Sequence, residues 1–289
     1  MRWISLLVVC AAVLLGGCAS TKTTGAHVLS GEAPVDRIIS RGDQAAVEGD
    51  YLAASILYRQ ALSQAPSADV WHRLGVALTR DNDVGQAMWA FRNALELDPD
   101  HADSLQKIGL YLTAKDRAEE ARPYLERLLA LQPDNWHGHN ALGVLADLEG
   151  HYDRAAAHYA SAIEIHPEQP MLWNNLGFSY YLAGDYAGAL RTMGKALQLD
   201  PGYAAARHNV ALVLARQSRY DDALRMMKTA REEAQAYSDV GYLAYKMGDY
   251  AQAEELLTQA IHRSGTYNRQ AHRNLAAVRE ARAATASGR

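Results

Sequence analysis

The side chain best placed to do chemistry is the thiol of Cys18. It follows Arg2 and an apolar run of twelve residues from Ile4 to Leu15, and Gly16 and Gly17 lie directly before it. A run of that length is too short to cross a bilayer comfortably but suits the hydrophobic segment of a secretory signal. Small residues ahead of the cysteine let the peptide enter a narrow peptidase site, and the thiol is the atom there that can accept a diacylglyceryl group. Cys10, the other of the two cysteines, lies within the signal and leaves with it. Cys18 is then the single thiol of the mature chain, which excludes disulfides, zinc–thiolate sites and thiol catalysis.

Other chemistry is sparse. His137 and His139 are two residues apart and point in different directions on a helix. His151 and His158 are seven apart, on one face but not close. No metal site is expected from either pair. The chain has no Gly-rich phosphate loop, no His-Glu-x-x-His and no nucleophile elbow. The expectation is a protein that is not an enzyme. It would take no small-molecule substrate, and no cofactor beyond a covalent lipid on Cys18. Setting aside Arg2, 28 of the 29 basic residues face 33 acidic ones, a net charge near −5. A chain without a basic surplus is poorly suited to nucleic acid, whose phosphates it cannot neutralise.

A stripe of polar and aromatic residues is better placed to bind. Asn140, Asn174, Asn175, Phe178, Tyr181, Asn209, Tyr242, Tyr245 and Asn274 recur at three- and four-residue spacing along segments of helical period. Each asparagine can make two hydrogen bonds to a peptide backbone, and the aromatics can bury its apolar side chains. The same asparagines could equally bridge neighbouring helices, with the tyrosines as ordinary packing. On the first reading, Asn175→Ala with Asn209→Ala weakens partner binding and leaves the fold intact. In the earlier part of the chain the stripe is charged and mixed: Asp36, Asp43, Asp69, His72, Arg73, Asp103, Gln106 and Lys107.

The elements that must position these residues repeat every thirty-four positions or so, from Val35 almost to the end. One copy reads Trp173-x-x-Leu176-Gly177-x-x-Tyr180, then Ala189, Met193, Ala196 and Pro201. This resembles the tetratricopeptide repeat (TPR), in which each unit is a helical hairpin that buries its apolar face only by stacking on its neighbours. Gly or Ala at the eighth position and Ala at the twentieth should let the two helices approach closely. Gly-Asp-Tyr at 49–51, 184–186 and 248–250 marks turns between helices, and Asp-Pro at 98–99 and 200–201 ends helices. The expected fold is all-α, a TPR α-solenoid of about seven helix-turn-helix repeats plus a capping helix, forming a right-handed superhelix with a concave groove. In TPR superhelices the stripe described above lines that groove.

Four segments follow. Residues 1–17 are a signal peptide, and 18–34 a lipidated N-terminus and flexible linker. The array occupies 35–267, and 268–289 a capping helix with a frayed tail from Ala283. The sixteen linker residues from Ala19 to Pro34 reach roughly 20–24 Å on average. Trp71 and Trp173 fall at the consensus core position, and Trp89 should face outward. The sixth repeat is four residues short, and Thr229 to Gln235 reads as continuous helix former, so a tightened junction is expected there.

Leu-Gly-Gly-Cys at 15–18 resembles a bacterial lipobox, and Ala19 in place of an aspartate resembles lipoproteins sorted to the outer membrane. Two or three acyl chains would anchor the chain stably on the periplasmic face. Together with Trp173-Asn174-Asn175-Leu176-Gly177, Arg207-x-Asn209-Val210-Ala211, Gly241-Tyr242, Gly248-Asp249-Tyr250 and Asn274-Leu275-Ala276, the chain is similar to the TadD family of TPR lipoproteins. These serve tight-adherence (Flp) pilus assembly. The resemblance is best over 136–280 and implies a pilotin-like role, with a segment of an outer-membrane secretin as partner. Two other lipoprotein families are alternatives: NlpI-like scaffolds for cell-wall hydrolases, and type IV pilus pilotins. The latter have Asn-Asn-Tyr-Gly where this chain has Asn-Asn-Leu-Gly. The two-lysine clamp used for chaperone tails is not intact.

Overall fold

The computed structural model describes residues 34–229 and 232–287. Cys18, the signal and the linker to residue 33 lie outside the described residues. The described residues form fifteen α-helices, with no strand among them, and fall into two compact units that divide between Ala141 and Leu142. In the first unit α1 (Pro34–Glu48) pairs with α2 (Tyr51–Gln64), α3 (Ala68–Arg80) with α4 (Val84–Leu97), and α5 (Ala102–Ala114) with α6 (Ala118–Leu131). The helix α7 (Trp136–Leu148) begins in the first unit and ends in the second, where α8 (Tyr152–Ile165) follows. Then come the pairs α9 (Pro170–Ala183) with α10 (Tyr186–Leu199), α11 (Ala204–Arg216) with α12 (Tyr220–Lys228), and α13 (Glu233–Lys246) with α14 (Tyr250–Arg263). The last helix, α15 (Arg269–Ser287), packs on α14. It continues past Ala283, where a frayed tail was expected. Among the described residues no helix is long and apolar enough to cross a membrane.

Local chemistry sets the turns. Gly49, Gly184 and Gly248 hold φ of 83°, 85° and 83°, a left-handed stop that other residues enter at a cost. Asp50, Asp185 and Asp249 then cap the next helix, their carboxylates accepting from the amides of Ala53, Gly188 and Gln252 at 2.9, 2.8 and 3.1 Å. The turns at Asn82, Asp116 and Ser218 adopt the same left-handed conformation without glycine. Helices α4 and α10 stop at Leu97 and Leu199, each followed by an extended Asp before proline.

In six of the seven hairpins the glycine of the first helix faces a large side chain sixteen residues on: Gly42 faces Tyr58, Gly75 Phe91, Gly109 Leu125, Gly143 Tyr159, Gly177 Met193 and Gly241 Leu257, with Ala211 in the glycine's place in α11. This refines the packing expected from the sequence. The small residue makes room chiefly for that large side chain, while the alanines at the twentieth position, such as Ala54, Ala121 and Ala189, are wholly buried beside it. Between hairpins the seam is apolar, but α1 carries exposed Arg41 and Gln44 where α3 buries Leu74 and Ala77. At the other end α15 buries Ala271, Leu275 and Val278 and leaves Arg273, Arg279, Glu280 and Arg282 exposed.

The short sixth repeat is short in its second helix. α12 has nine residues against fourteen in α10 and α14. The chain does not run on as one helix there: α12 ends at Lys228, Glu232 is extended at ψ 146°, and α13 starts at Glu233. Glu233 accepts from Lys228 Nζ at 2.7 Å and Arg263 Nε at 3.3 Å, and both cations lie over the Tyr237 ring at 4.7 and 4.4 Å. These contacts join the end of α12 and the end of α14 to the first turns of α13.

The tryptophans also differ from expectation. Trp71 and Trp173 are half-buried rather than core residues, the core at that seam being Leu74 and Leu172. Trp173 donates its Nε1–H to the Pro167 carbonyl at 2.8 Å, so its ring closes a turn. Trp89 is 45% exposed as expected and meets Trp71 edge-on at 4.9 Å.

Candidate partner-binding groove

Of the asparagines and aromatics of the stripe, the second unit holds all but Asn140, which belongs to the first unit and is half-buried. Asn174 and Asn209 are buried at 5% and 7% exposure, and Asn209 Nδ2 donates to Asn174 Oδ1 at 2.9 Å. This bond ties α9 to α11. A buried amide pair of this kind costs little while both partners are present, and removing one strands the other's polar atom. Asn209→Ala is therefore expected to lower stability, in contrast to the sequence-based expectation that it would spare the fold. Asn175 is half-buried and accepts from Asn174 Nδ2 at 3.5 Å, and Asn274 accepts from Gln270 Nε2 at 3.0 Å along α15.

The aromatic members form two runs. Phe178, Tyr181 and Tyr186 have successive ring centroids 5.8 and 6.0 Å apart, and Tyr242, Tyr245 and Tyr250 have 6.3 and 6.1 Å. Such spacings are favourable for aromatic pairs. Tyr242 is 41% exposed, while Phe178, Tyr181, Tyr186, Tyr245 and Tyr250 lie half-buried against the core. Burial, the largest influence, pushes the Tyr181 phenol up, so it stays a neutral donor and acceptor.

Sequence reasoning had taken Tyr186 and Tyr250 only as turn markers. Their place in two of the three Gly-Asp-Tyr turns, five residues after Tyr181 and Tyr245, was the available signal. Arg216 was missed altogether. Its Nε donates to Tyr186 Oη at 3.3 Å and its Nη1 to Met247 Sδ at 3.9 Å, so it reaches from one hairpin to the next but one.

The second unit also holds a half-buried carboxylate that the sequence did not reveal. Asp147 on α7 accepts from Tyr159 Oη of α8 at 2.9 Å and from Ser179 Oγ of α9 at 2.6 Å. Burial pushes its pKa up to about 6, against the pull of the two hydrogen bonds. A carboxyl raised above its unfolded value of about 3.9 binds its proton more tightly when folded. Its stabilising contribution is full below pH 4 and is lost as pH rises through 6. Asp147→Asn, which cannot ionise, should therefore raise stability by up to about 3 kcal/mol at pH 7.5 and by little at pH 4. Melting curves of both proteins across that range check this, and a gain that does not depend on pH would refute it.

In the first unit the stripe is bound up in contacts between hairpins. Asp43 accepts from Tyr58 Oη at 2.8 Å and pairs with Arg73. His72 Nδ1 lies 3.1 Å from Ser104 Oγ, and His101 Nε2 lies 3.1 Å from Asp69 Oδ1. Burial pushes the His72 pKa down to about 4, so the ring is neutral at pH 7. Gln106 accepts from Asn135 Nδ2 at 2.8 Å. His139 Nε2 lies 2.9 Å from the Pro133 carbonyl, and His137 stacks on Trp136 at 3.6 Å. Among the described residues no three His, Cys, Asp or Glu side chains gather as a metal site would require.

Comparison with known proteins agrees with this architecture. Residues 180–244 and 240–287 match tetratricopeptide repeat families, and 42–149 match the middle TPR-like domain of cilia and flagella-associated protein 70. No curated protein matches the chain. Among solved structures, a tetratricopeptide repeat protein from Parabacteroides merdae is 15% identical, with TM-score 0.64 over 84% of this chain and 98% of its own. MamA AMB-1 is 26% identical, with TM-score 0.50 over 59% of this chain and 93% of its own. Pseudomonas aeruginosa pilF is 21% identical, with TM-score 0.53 over 68% of this chain and 90% of its own. These likenesses establish a TPR fold, an architecture that binds proteins or peptides.

Proposed function

We propose that this chain is a lipid-anchored adaptor on the periplasmic face of the outer membrane. It would act as a pilotin-like factor that binds a segment of a secretin during tight-adherence pilus assembly. The observation that carries the binding role is the pair of aromatic runs with Arg216 reaching from Tyr186 to Met247. Half-buried rings with exposed edges bury apolar side chains of an incoming segment without ordering flexible ones, which favours affinity. The anchor rests on the Leu-Gly-Gly-Cys sequence at 15–18, and the secretin on the resemblance carried by 136–280. The protein works by holding a partner, with no reaction of its own and no cofactor besides the lipid on Cys18.

The test is a photo-crosslinking residue placed at Tyr242 in the native lipidated protein, followed by purification from outer membranes and mass spectrometry. Crosslinks to a secretin segment are expected. Tyr242→Ser should weaken that capture about tenfold, the cost of roughly 1.4 kcal/mol of aromatic contact, with melting unchanged because the ring is exposed. Recovery of cell-wall hydrolases without any secretin would replace this reading with a scaffold of the NlpI kind.

A further inference from the structure

The outer stripe of the second helices changes character along the array. Counted from the start of each second helix, the sixth residue is Ile56 and Trp89 in the first two hairpins and Pro123 and Ala157 in the next two. In the last three it is Arg191, Arg225 and Glu255. The ninth residue is Arg59 and Arg92 in the first two hairpins and Glu126 in the third. Large apolar groups backed by cations at these positions are confined to α2 and α4, the second helices nearest the N-terminal linker.

These side chains are turned to solvent. Leu52 and Ile56 lie one turn apart on α2 with 61% and 58% of their surface exposed, and Arg59 follows on the same face. Arg59 Nη2 donates to Gln86 Oε1 at 3.5 Å, which sets α4 beside α2, and the exposed Trp89 ring is held edge-on by Trp71. Arg92 is exposed, and no hydrogen bond or ion pair among the described residues engages it. Glu96 is the only acid in the two helices. The array itself needs none of this stripe, since α2 packs through Ala54, Tyr58 and Ala61 and α4 through Ala87, Phe91 and Ala94. A helix apolar on both sides buries one side in the array and leaves the other for a partner.

A lipid surface suits that side. Aliphatic and Trp side chains settle at the boundary between headgroups and acyl chains, and cations beside them meet lipid phosphates. Proximity comes from the anchor: the linker from Cys18 enters the array at α1, which packs on α2. Its reach of roughly 20–24 Å keeps this end against the bilayer.

We propose that the outer face of α2 and α4 lies on the phospholipid surface, with Leu52, Ile56 and Trp89 entering the headgroup boundary and Arg59 and Arg92 meeting phosphates. This second contact rests on the lipid anchor. It fixes how the first unit stands on the membrane, where a flexible linker alone leaves it free to turn.

The test uses the mature lipoprotein in vesicles of phosphatidylethanolamine and phosphatidylglycerol. A nitroxide is attached to Ile56→Cys or, as a reference in the same unit, to Lys107→Cys on α5. An acylated Cys18 cannot take the label, so each protein carries one. Depth is read as the ratio of label collisions with oxygen to collisions with a water-soluble nickel complex. That ratio should be about fivefold higher at 56 than at 107, as for a group at the acyl boundary. Adding Leu52→Asp and Arg59→Glu should bring it down to the value at 107 with melting unchanged, because both side chains are exposed. A label at 56 as wet as the one at 107, in acylated protein, overturns the proposal and leaves the anchor standing. Mass spectrometry that finds no acyl group on Cys18 overturns both. Dipolar broadening between labels at 56 assigns the face to a second copy of the chain and overturns the proposal as well.

Discussion

Gly177→Leu is expected to collapse the stability of the second unit. A Cβ at this position would lie 2.6 Å from Met193 Cγ, 2.7 Å from Thr192 Oγ1 and 3.1 Å from the Ala189 carbonyl oxygen. The first two atoms belong to side chains that could in principle shift. The third is backbone of α10 and moves only with the helix. Thr192 is also held, since its hydroxyl donates to the Gly188 carbonyl at 2.9 Å. A leucine brings three further carbons into the same space, so α9 and α10 must separate. The Asn209–Asn174 bond and the Ser179–Asp147 bond both depend on where α9 lies. Overpacking alone costs about 1–3 kcal/mol, and loss of the buried amide pair and of the half-buried Ser179–Asp147 bond adds to it. A loss of ~4 kcal/mol would lower melting of a unit this size by roughly 10 °C. Circular dichroism melting of Gly177→Leu beside Gly177→Ala reads this directly, and a leucine variant that melts like the parent would refute the close-approach argument.

Cys18→Ser is expected to move the protein from the membrane to the soluble fraction almost entirely. The reason is one of scale. A diacylglyceryl cysteine with a further acyl chain anchors firmly, because each buried CH₂ contributes about 0.8 kcal/mol. No described helix could hold the chain in a bilayer in its place. Fractionation of cells expressing each form, with metabolic labelling by a fatty acid, measures both acylation and position. A serine variant that still takes up label and sediments with membranes would sink the anchor reading. Its helical content and melting should match the parent, since the changed residue precedes α1.

The reach of the sequence can be judged residue by residue. The hairpins and their turns were legible because the causes are local. Gly184 followed by Asp185 stops one helix and caps the next through atoms within a few residues of each other. The Gly177–Met193 contact was partly legible, since a small residue in a fixed register implies a near neighbour, although the sequence pointed to the alanine at the twentieth position. Trp71 and Trp173 were misplaced because a match to a consensus position says nothing of how much of a large ring its neighbours cover. The end of α12 at Lys228 and the fresh start of α13 at Glu233 were hidden by good helix formers, whereas Lys228 and Arg263 converge there on Glu233 and the Tyr237 ring.

By itself the sequence determined an all-helical repeat array with most of its helix ends, and it raised the expectation of a secretory start that leaves a single thiol. It also placed asparagines and aromatics on one face of the first helices. Only the tertiary structure decided which of those residues turn to solvent. Asn174 and Asn209 close on each other in the interior, Tyr242 stays outside, Asp147 of α7 is bound to hydroxyls of α8 and α9, and Arg216 bridges Tyr186 and Met247. A helical period fixes the direction of a side chain about its own axis. Depth depends on the neighbouring hairpin, thirty or so residues away, and on whether the group it meets there can complete a hydrogen bond.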